Sequence, residues 1–153
     1  MDVLKLSSDL MSFKSISPKS AGSLEFIQDL LNKWGFDCHL LEFGESKVKN
    51  LYACFTGGKG PNVCFAGHTD VVPPGDYKDW THHPFKPIVK KGHLIGRGAN
   101  DMKSSIACFI AAVSEFLKNS PKFPGSISFL ITGDEEGYAI NGTKKVVDFL
   151  RKK

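Results

Sequence analysis

Residues Phe65–Asp76, with the sequence FAGHTDVVPPGD, place a histidine and an aspartate directly after a short apolar segment and before two prolines. The apolar segment, Asn62–Gly67, is typical of a strand that is buried on both faces of a mixed or parallel sheet. Proline has no N–H to donate to a sheet, so the two prolines end the pairing. We therefore expect His68 and Asp70 at the end of a strand, on the sheet edge where ligands bind in open α/β folds.

Strands and helices alternate on both sides of this segment, which predicts an α/β fold with a mixed sheet flanked by helices. Helical spacing of apolar residues predicts helices over Val3–Phe13, Leu24–Trp34, about Met102–Lys118, and from near Gly142 or Thr143 onwards. Ser20 or Ser23 is the expected N-cap of the second helix. The other predicted strands are Phe36–Phe43, Asn50–Gly57 and Gly125–Gly133.

The composition excludes several classes of protein. The chain has 153 residues, of which 41% are hydrophobic, and this suits one packed domain. Its net charge of +4 is spread along the sequence, so nucleic acid is not an expected partner. The N-terminus lacks the apolar core of a signal peptide, and the longest apolar run, Ile106–Val113, is too short to span a bilayer. We expect a cytoplasmic protein without a membrane partner.

The four cysteines contain no CxxC pair. Each lies in an apolar or alternating segment, so we expect small core residues in a reducing compartment rather than disulfides or zinc ligands. These residues are Cys38, Cys54, Cys64 and Cys108.

Three polar clusters are expected to converge at one edge of the sheet. They are HTD at 68–70, ND at 100–101 and DEE at 134–136. Imidazole nitrogen and carboxylate oxygen are suitable ligands for Zn²⁺. Asp70 should lie on the same side of an extended chain as His68 and accept its second ring N–H. Glu135 and Glu136 are neighbours whose side chains should diverge, so one is expected to bind metal and the other to act as a base.

Each cluster also has a simpler interpretation. A single histidine at a strand end, such as His68, is often structural, and an aspartate before a helix, such as Asp101, is often its N-cap. Adjacent glutamates in a loop are often only solvated. The histidines at 82–83 lie in a long loop and are expected at the surface, whereas Trp80 and Phe85 should hold that loop against the domain.

The segments GHTDVVPPGD, PFKP, GRGANDMK and ITGDEEG, in this order and spacing, resemble the M20 metallopeptidase family. The likeness runs from near the N-terminus to the last residue. It implies a zinc-peptidase-like catalytic domain that holds two Zn²⁺ ions, with Co²⁺ as an alternative. It also implies that the substrate is a small N-acyl amino acid.

The resemblance implies a role for each residue that matches the family pattern. His68 would bind the first zinc, Asp101 would bridge both zincs, and Glu136 would bind the second. Glu135 would be the general base, and Asp70 would orient the ring of His68. The peptide bond after the bridging aspartate is typically cis in this family. No substrate-binding residue is indicated.

Within the family, the same segments most resemble bacterial enzymes that remove succinate from N-succinyl-LL-2,6-diaminopimelate, a step of lysine and diaminopimelate biosynthesis. An acetylornithine deacetylase-like or other aminoacylase activity is the alternative within the family. The chain has two arginines, and Arg97 within the GRG block is expected to be structural.

The resemblance also implies what residues 1–153 lack. We expect the N-terminal part of a catalytic domain, without the lid and dimerisation domain and without the C-terminal part of the catalytic domain. The family's remaining metal ligands would lie in these absent parts, which implies that the chain is inactive alone. A separately encoded C-terminal half is an expected partner, and homodimers are expected only of the full-length protein. The alternative is a non-catalytic truncated remnant or interaction module.

Overall fold

The computed structural model describes residues 1–152, and this part of the chain forms four α-helices and six strands. The helices are α1 (Val3–Ser12), α2 (Ser23–Asn32), α3 (Ser104–Asn119) and α4 (Thr143–Leu150). The strands are β1 (Asp37–Phe43), β2 (Val48–Thr56), β3 (Asn62–His68), β4 (Ile88–Lys90), β5 (His93–Ile95) and β6 (Ser126–Thr132). Among the described residues, no helix is both long and apolar enough to cross a membrane.

The main sheet has the strand order β1-β2-β6-β3, and a separate hairpin pairs β4 with β5. β2 is antiparallel to both of its neighbours, β1 and β6, whereas β3 runs parallel to β6. In that parallel pair, His68 lies opposite Thr132, the last residue of β6. The segments that follow β3 and β6 therefore leave the sheet at the same edge. The predicted α/β fold with a mixed sheet and flanking helices is confirmed.

One apolar core joins the helices to the main sheet. Phe129, in the middle of β6, is fully buried, and its ring contacts those of Phe36, Phe65 and Phe109. Losing a buried ring of this kind typically costs about 3–5 kcal/mol. The buried apolar residues of α1, α2 and α3 recur three or four positions apart, which makes these helices amphipathic. They are Leu6, Leu10, Leu24, Ile27, Leu31, Ile106, Ile110 and Val113.

β3 is more exposed than its apolar sequence predicts. Within residues 1–152 it pairs only with β6 and forms an edge of the main sheet, so the prediction of a strand buried on both faces is wrong. Val63 in this strand is 59% exposed. An apolar strand indicates that its surface is normally covered, but its composition does not say by which segment.

Two helix starts also differ from the predictions. α3 begins at Ser104 rather than Met102, because the residues just before it have a kinked, non-helical backbone. Neither Ser20 nor Ser23 caps α2, since the N-cap is Gly22 and no side chain caps this helix. The Ser23 hydroxyl instead donates to the Ser20 carbonyl at 2.7 Å. Ser20 and Ser23 belong to a residue type that often caps helices, but the left-handed φ of 90° at Gly22 sets the start of α2.

The cysteines are less buried than the core residues predicted from the sequence. Cys38 and Cys54 are half-buried, whereas Cys64 and Cys108 are exposed. Cys64 lies on the open edge strand β3, which explains its exposure. All four are free thiols, and burial raises the pKa of the Cys38 thiol to about 11. Cys38 packs against the core, as expected, whereas the exposed Cys64 and Cys108 do not have the expected core position.

Gly125, directly before β6, has a φ of 100°, and a Cβ there would overlap the carbonyl oxygen of Pro61. Gly92 is a matched control, because its φ is 78° and its Cβ would meet nothing within 4 Å. We expect Gly92→Ala to lower the free energy of unfolding by about 1–2 kcal/mol, the cost of a left-handed backbone for alanine. Gly125→Ala should cost about 1–3 kcal/mol more, because the overlap must also be relieved. Urea denaturation measures both losses, and equal losses would contradict the close contact.

Candidate metal centre

The candidate site lies where β3 and β6 end side by side. The backbone N–H of Thr69 donates to the carbonyl of Thr132 at 3.0 Å, which extends the parallel pairing one residue beyond β3. The N–H of Gly133 donates to the carbonyl of Lys49 at 3.1 Å. Backbone hydrogen bonds therefore fix the starting points of both loops that carry the polar clusters.

His68 is buried, and both of its ring nitrogens have polar neighbours. Nδ1 lies 3.0 Å from the carbonyl oxygen of Asp70, while Nε2 lies 3.0 Å from Oδ1 of Asp101 and 3.7 Å from Oε2 of Glu135. A carbonyl oxygen only accepts, so Nδ1 is the donor in the first contact. In a neutral ring, Nε2 then presents a lone pair to two carboxylates. A cation or a second ring proton is needed to make that arrangement favourable.

Asp70 contacts His68 through a different atom from the one predicted. The acceptor for Nδ1 is the backbone carbonyl of Asp70, and its carboxylate oxygen Oδ1 lies farther away, at 3.6 Å. The buried carboxylate instead accepts the backbone N–H groups of Glu135 and Glu136, each 3.0 Å from Oδ2. Asp70 thereby ties the loop after β3 to the loop after β6.

Asp101 approaches His68 from the kinked segment before α3. The helical turn Ala99–Lys103 is interrupted at Asp101 and Met102, whose φ and ψ angles are −130° and 103°, and −130° and 30°. The peptide bond between these two residues is cis, as the family resemblance implies. The interpretation of Asp101 as an N-cap is wrong, because Lys103 precedes α3 and no side chain caps it. The Asp101 carboxylate is 68% exposed and remains open to a ligand.

Glu135 and Glu136 both turn towards His68. One oxygen of each lies within 4.8 Å of the other and of a His68 ring nitrogen, so the expected divergence of the two side chains is not observed. The pair lies in bends rather than in extended backbone, with both N–H groups held by Asp70. Burial raises the pKa of the Glu136 carboxyl, and the carboxylate of Asp101 adds to that rise.

The donor set fits a borderline divalent cation. An imidazole nitrogen and three carboxylates surround one small region, and these are the groups that bind Zn²⁺ and similar ions. Burial of Glu136 raises its pKa, and repulsion from the Asp101 and Glu135 carboxylates raises it further. A bound cation would remove that repulsion and would satisfy the lone pair on His68 Nε2. The structure thus brings together His68, Asp101, Glu135 and Glu136, with Asp70 directly behind them.

Asp134 shapes the site, although the sequence pattern assigns it no role. Its buried carboxylate accepts the N–H groups of Ala139, Ile140 and Asn141 at 3.0–3.2 Å. Its own N–H donates to Oγ1 of Thr132 at 3.1 Å. The loop after β6 is therefore folded back on itself. The signal was present in the segment DEEG, because aspartates often accept nearby backbone N–H groups in turns.

Lys103 is a second residue whose place the sequence pattern did not indicate. It is fully buried, and its Nζ donates to the carbonyl of Phe13 at 2.8 Å, which ties the end of α1 to the kinked segment. Burial lowers the pKa of the Lys103 ammonium to about 8, and the Asp70 carboxylate opposes that shift. Buried charges need such compensation, so Asp70 also acts as a charge partner within the domain.

The long loop between β3 and β4 is held as predicted. Nε1 of Trp80 donates to the carbonyl of Pro74 at 2.8 Å, and Phe85 is buried. The adjacent histidines are separate from the cluster around His68. His83 is exposed and its Nδ1 accepts the N–H of Phe85 at 3.1 Å, whereas His82 is half-buried rather than fully at the surface.

The profile of peptidase family M20/M25/M40 matches residues 64–153. The chain belongs to this family. Two curated relatives are named succinyl-diaminopimelate desuccinylase. The relative from Pelagibacter ubique (strain HTCC1062) is 56% identical to this chain over 153 residues, and the relative from Wolbachia pipientis subsp. Culex pipiens (strain wPip) is 53% identical over 153 residues. The matches cover 98% and 100% of this chain, but 40% and 38% of the relatives. The M20 chain thus spans about 40% of the length of these relatives.

Solved structures show the same fold at low sequence identity. Human carnosine dipeptidase 1 is 24% identical with a TM-score of 0.83, over 99% of this chain and 35% of that one. The M20 family metallo-carboxypeptidase Sso-CP2 from Sulfolobus solfataricus is 20% identical with a TM-score of 0.84, over 99% and 34%. Bacillus subtilis YXEP, described as a dinuclear metal binding peptidase, is 18% identical with a TM-score of 0.64, over 95% and 38%.

Asp70→Asn should destabilise the chain by about 1–3 kcal/mol, because its amide oxygen can replace Oδ2 only if the NH₂ group replaces Oδ1 and faces the backbone N–H of Glu135, and because the charge opposite the Lys103 ammonium is lost. Asp76→Asn is the matched control. The Asp76 carboxylate is exposed and accepts the N–H of Lys78 at 3.0 Å, a bond that asparagine can also accept, so this variant should match the wild type. Urea denaturation measures both. An Asp70→Asn chain as stable as the control would contradict the role given to the Asp70 carboxylate.

Proposed function

We propose that this M20 chain carries part of the active site of a metal-dependent amide hydrolase. The observation that supports this most is the convergence of His68 with Asp101, Glu135 and Glu136, in a chain that belongs to a peptidase family. Several carboxylates around one imidazole are unfavourable without a cation. The arrangement is therefore better explained by metal binding than by a structural histidine and a solvated glutamate pair.

In this proposal the site binds two Zn²⁺ ions, or Co²⁺ in their place. His68 would hold one ion and Glu136 the other, and Asp101 would contribute carboxylate oxygens to the same centre. Asp70 orients the His68 ring through its carbonyl oxygen, 3.0 Å from Nδ1. An ion normally has three or four protein ligands, so the remaining ligands must come from a part of the protein outside residues 1–153.

Glu135 is proposed as the general base. When bound, the metal polarises the substrate carbonyl and makes an attacking water more acidic. The Glu135 carboxylate is 56% exposed, while its backbone N–H is held by Asp70. The backbone of Glu135 is therefore held in place, while its carboxylate oxygen atoms remain accessible and can take a proton from the water. The same carboxyl group can then give that proton to the amine that leaves.

N-succinyl-LL-2,6-diaminopimelate is the proposed substrate, hydrolysed to succinate and LL-diaminopimelate for lysine biosynthesis. The support is the desuccinylase name of relatives that are more than half identical over nearly the whole chain. An acetylornithine deacetylase-like or other aminoacylase activity is the alternative within the family. The cytoplasm is the proposed location, because all four cysteines are free thiols.

We further propose that residues 1–153 form the N-terminal part of the catalytic domain and that the remaining part covers β3. The relatives extend well beyond the matched segment. A groove of about 450 Å³ beside the open edge of β3 is lined mainly by apolar side chains, including Val63, Phe109 and Phe116. Val63 is 59% exposed and Phe116 is 40% exposed. An open strand edge next to an apolar groove is a surface that another segment normally covers.

The isolated chain should bind Zn²⁺ more weakly than a complete site, because too few ligands are present for each ion. Titration calorimetry should show His68→Ala losing this binding. His93→Ala should bind as the wild type does, since His93 is exposed, its Nδ1 lies 2.9 Å from the carbonyl oxygen of Lys91, and it is not part of the cluster around His68. Tight binding by the wild-type chain would contradict the incomplete ligand set. Binding that survives His68→Ala would contradict the site itself.

The isolated chain should hydrolyse no succinyl amide, and adding the remainder of the Pelagibacter relative should restore turnover. Phe116→Asp should prevent this complementation, because it places a charge in the groove beside β3. Leu4→Asp is the matched control, since Leu4 is 47% exposed on α1. Turnover by the chain alone would show that the missing ligands are not needed. Failure of the wild-type pair to associate would favour the non-catalytic remnant or interaction module.

The two glutamates should differ in the complemented enzyme. Glu135→Gln should lower turnover about 10²–10⁴-fold with the metal content intact, because only the proton transfer is lost. Glu136→Gln should lower the metal content, and turnover with it. Metal analysis and turnover are measured on both variants. The opposite pattern would reverse the two roles, and two fully active variants would leave the pair as solvated loop residues.

A further inference from the structure

We propose that Arg97 binds a substrate carboxylate in a subsite next to the candidate metal centre. This inference rests on the proposed function and adds a substrate-binding residue to it. Arg97 lines a cleft of about 490 Å³ together with Asn100, Asp101 and Glu136. Two of these neighbours are the proposed metal ligands, so Arg97 lines the same cleft as the candidate metal centre.

The hydrogen-bonding groups of Arg97 are largely unused within the chain. Its Nη2 has one long contact, 3.5 Å from the carbonyl oxygen of Pro73, and its buried Nε has no partner. Among residues 1–152, no acidic side chain forms an ion pair with it. An arginine with a purely structural role normally has its donors satisfied by carbonyl or carboxylate oxygens. The contacts of Arg97 are therefore compatible with a binding role as well as with the structural role expected from the sequence.

The position of Arg97 is nevertheless fixed. Its backbone N–H donates to the carbonyl of Pro84 at 2.8 Å. The guanidinium carbon lies 5.2 Å from the centre of the Trp80 ring, and Trp80 is itself held by its bond to Pro74. This cation–π contact holds the guanidinium against the ring, and because Nε is buried, its two terminal nitrogens are the ones that can face a ligand. A preorganised fork of this kind matches the two oxygens of a carboxylate.

The negative charge of the cleft also favours a cationic residue at the position of Arg97. Asp101 and Glu136 line the cleft, and Arg97 offsets part of their negative charge there even in the absence of metal. Arg97 is the cationic side chain among the residues that line it. The proposed substrate carries carboxylates at its succinyl end and at its amino-acid ends. Arg97 is suited to either, and the end that it binds is an outcome of the test.

The test is a titration of the metal-free chain, followed by ¹⁵N NMR, with succinate and separately with LL-diaminopimelate. The Nε–H signal of Arg97 and the indole signal of Trp80 should shift and saturate. Arg151 and Trp34 supply internal control signals, because the chain has two residues of each type. Arg97→Met should weaken binding at least about tenfold. Arg97→Lys should also weaken it, because lysine keeps the charge but lacks the planar fork.

Arg151→Met is the matched control and should bind both probes as the wild type does. A shift with one probe alone identifies the end of the substrate that Arg97 binds. The inference is overturned if neither probe gives a saturable shift, if Arg151 shifts equally, or if Arg97→Met binds normally. The measurement needs no metal, so it is independent of the zinc titration. A chain that binds zinc but neither probe would refute the subsite alone, and a chain that binds a probe but no zinc would refute the proposed metal centre alone.

Discussion

The pair of hydrogen bonds that the buried Asp70 carboxylate accepts from Glu135 and Glu136 is the interaction on which the rest of the site depends. These bonds join two loops that are more than sixty residues apart in sequence. The same residue holds the His68 ring through its carbonyl oxygen. One aspartate thus sets the relative positions of the imidazole and both glutamates. The negative charge of the Asp70 carboxylate is also compensated by the positive charge of the buried Lys103 ammonium.

The parallel pairing of β3 with β6 makes this arrangement possible and leaves β3 as an edge strand within residues 1–152. Parallel strands end at the same edge, so His68 and Thr132 are neighbours and the polar loops meet. β3, however, has a partner on one side only within residues 1–152, and an apolar groove lies beside it. The groove lies near the starts of β3 and β6, at the opposite end of these strands from the candidate metal ligands, and is a further uncovered apolar surface. This is consistent with a chain that spans about 40% of its relatives.

The fold and the members of the site could be predicted from the sequence because they depend on local patterns. Apolar spacing predicted the four helices and the strands of the main sheet but not the short β4–β5 hairpin, and the polar clusters lay at the ends of the predicted elements. The detailed geometry depended on tertiary contacts that no local pattern contains. The Asp70 carboxylate bonds to backbone groups across the sheet edge, so the glutamates converge instead of diverging. The exposure of β3 could not be predicted, because it depends on which segments are available to cover it.

X-ray absorption at the zinc edge of the zinc-loaded chain tests the central claim most directly, namely that a cation binds between His68 and the carboxylates arranged by Asp70. The predicted spectrum shows nitrogen and oxygen neighbours at about 2.0–2.2 Å, including a single imidazole and no sulfur. A sulfur neighbour would indicate binding by one of the free cysteines. Two or more imidazoles would indicate binding at other histidines, and either result would contradict the proposed centre.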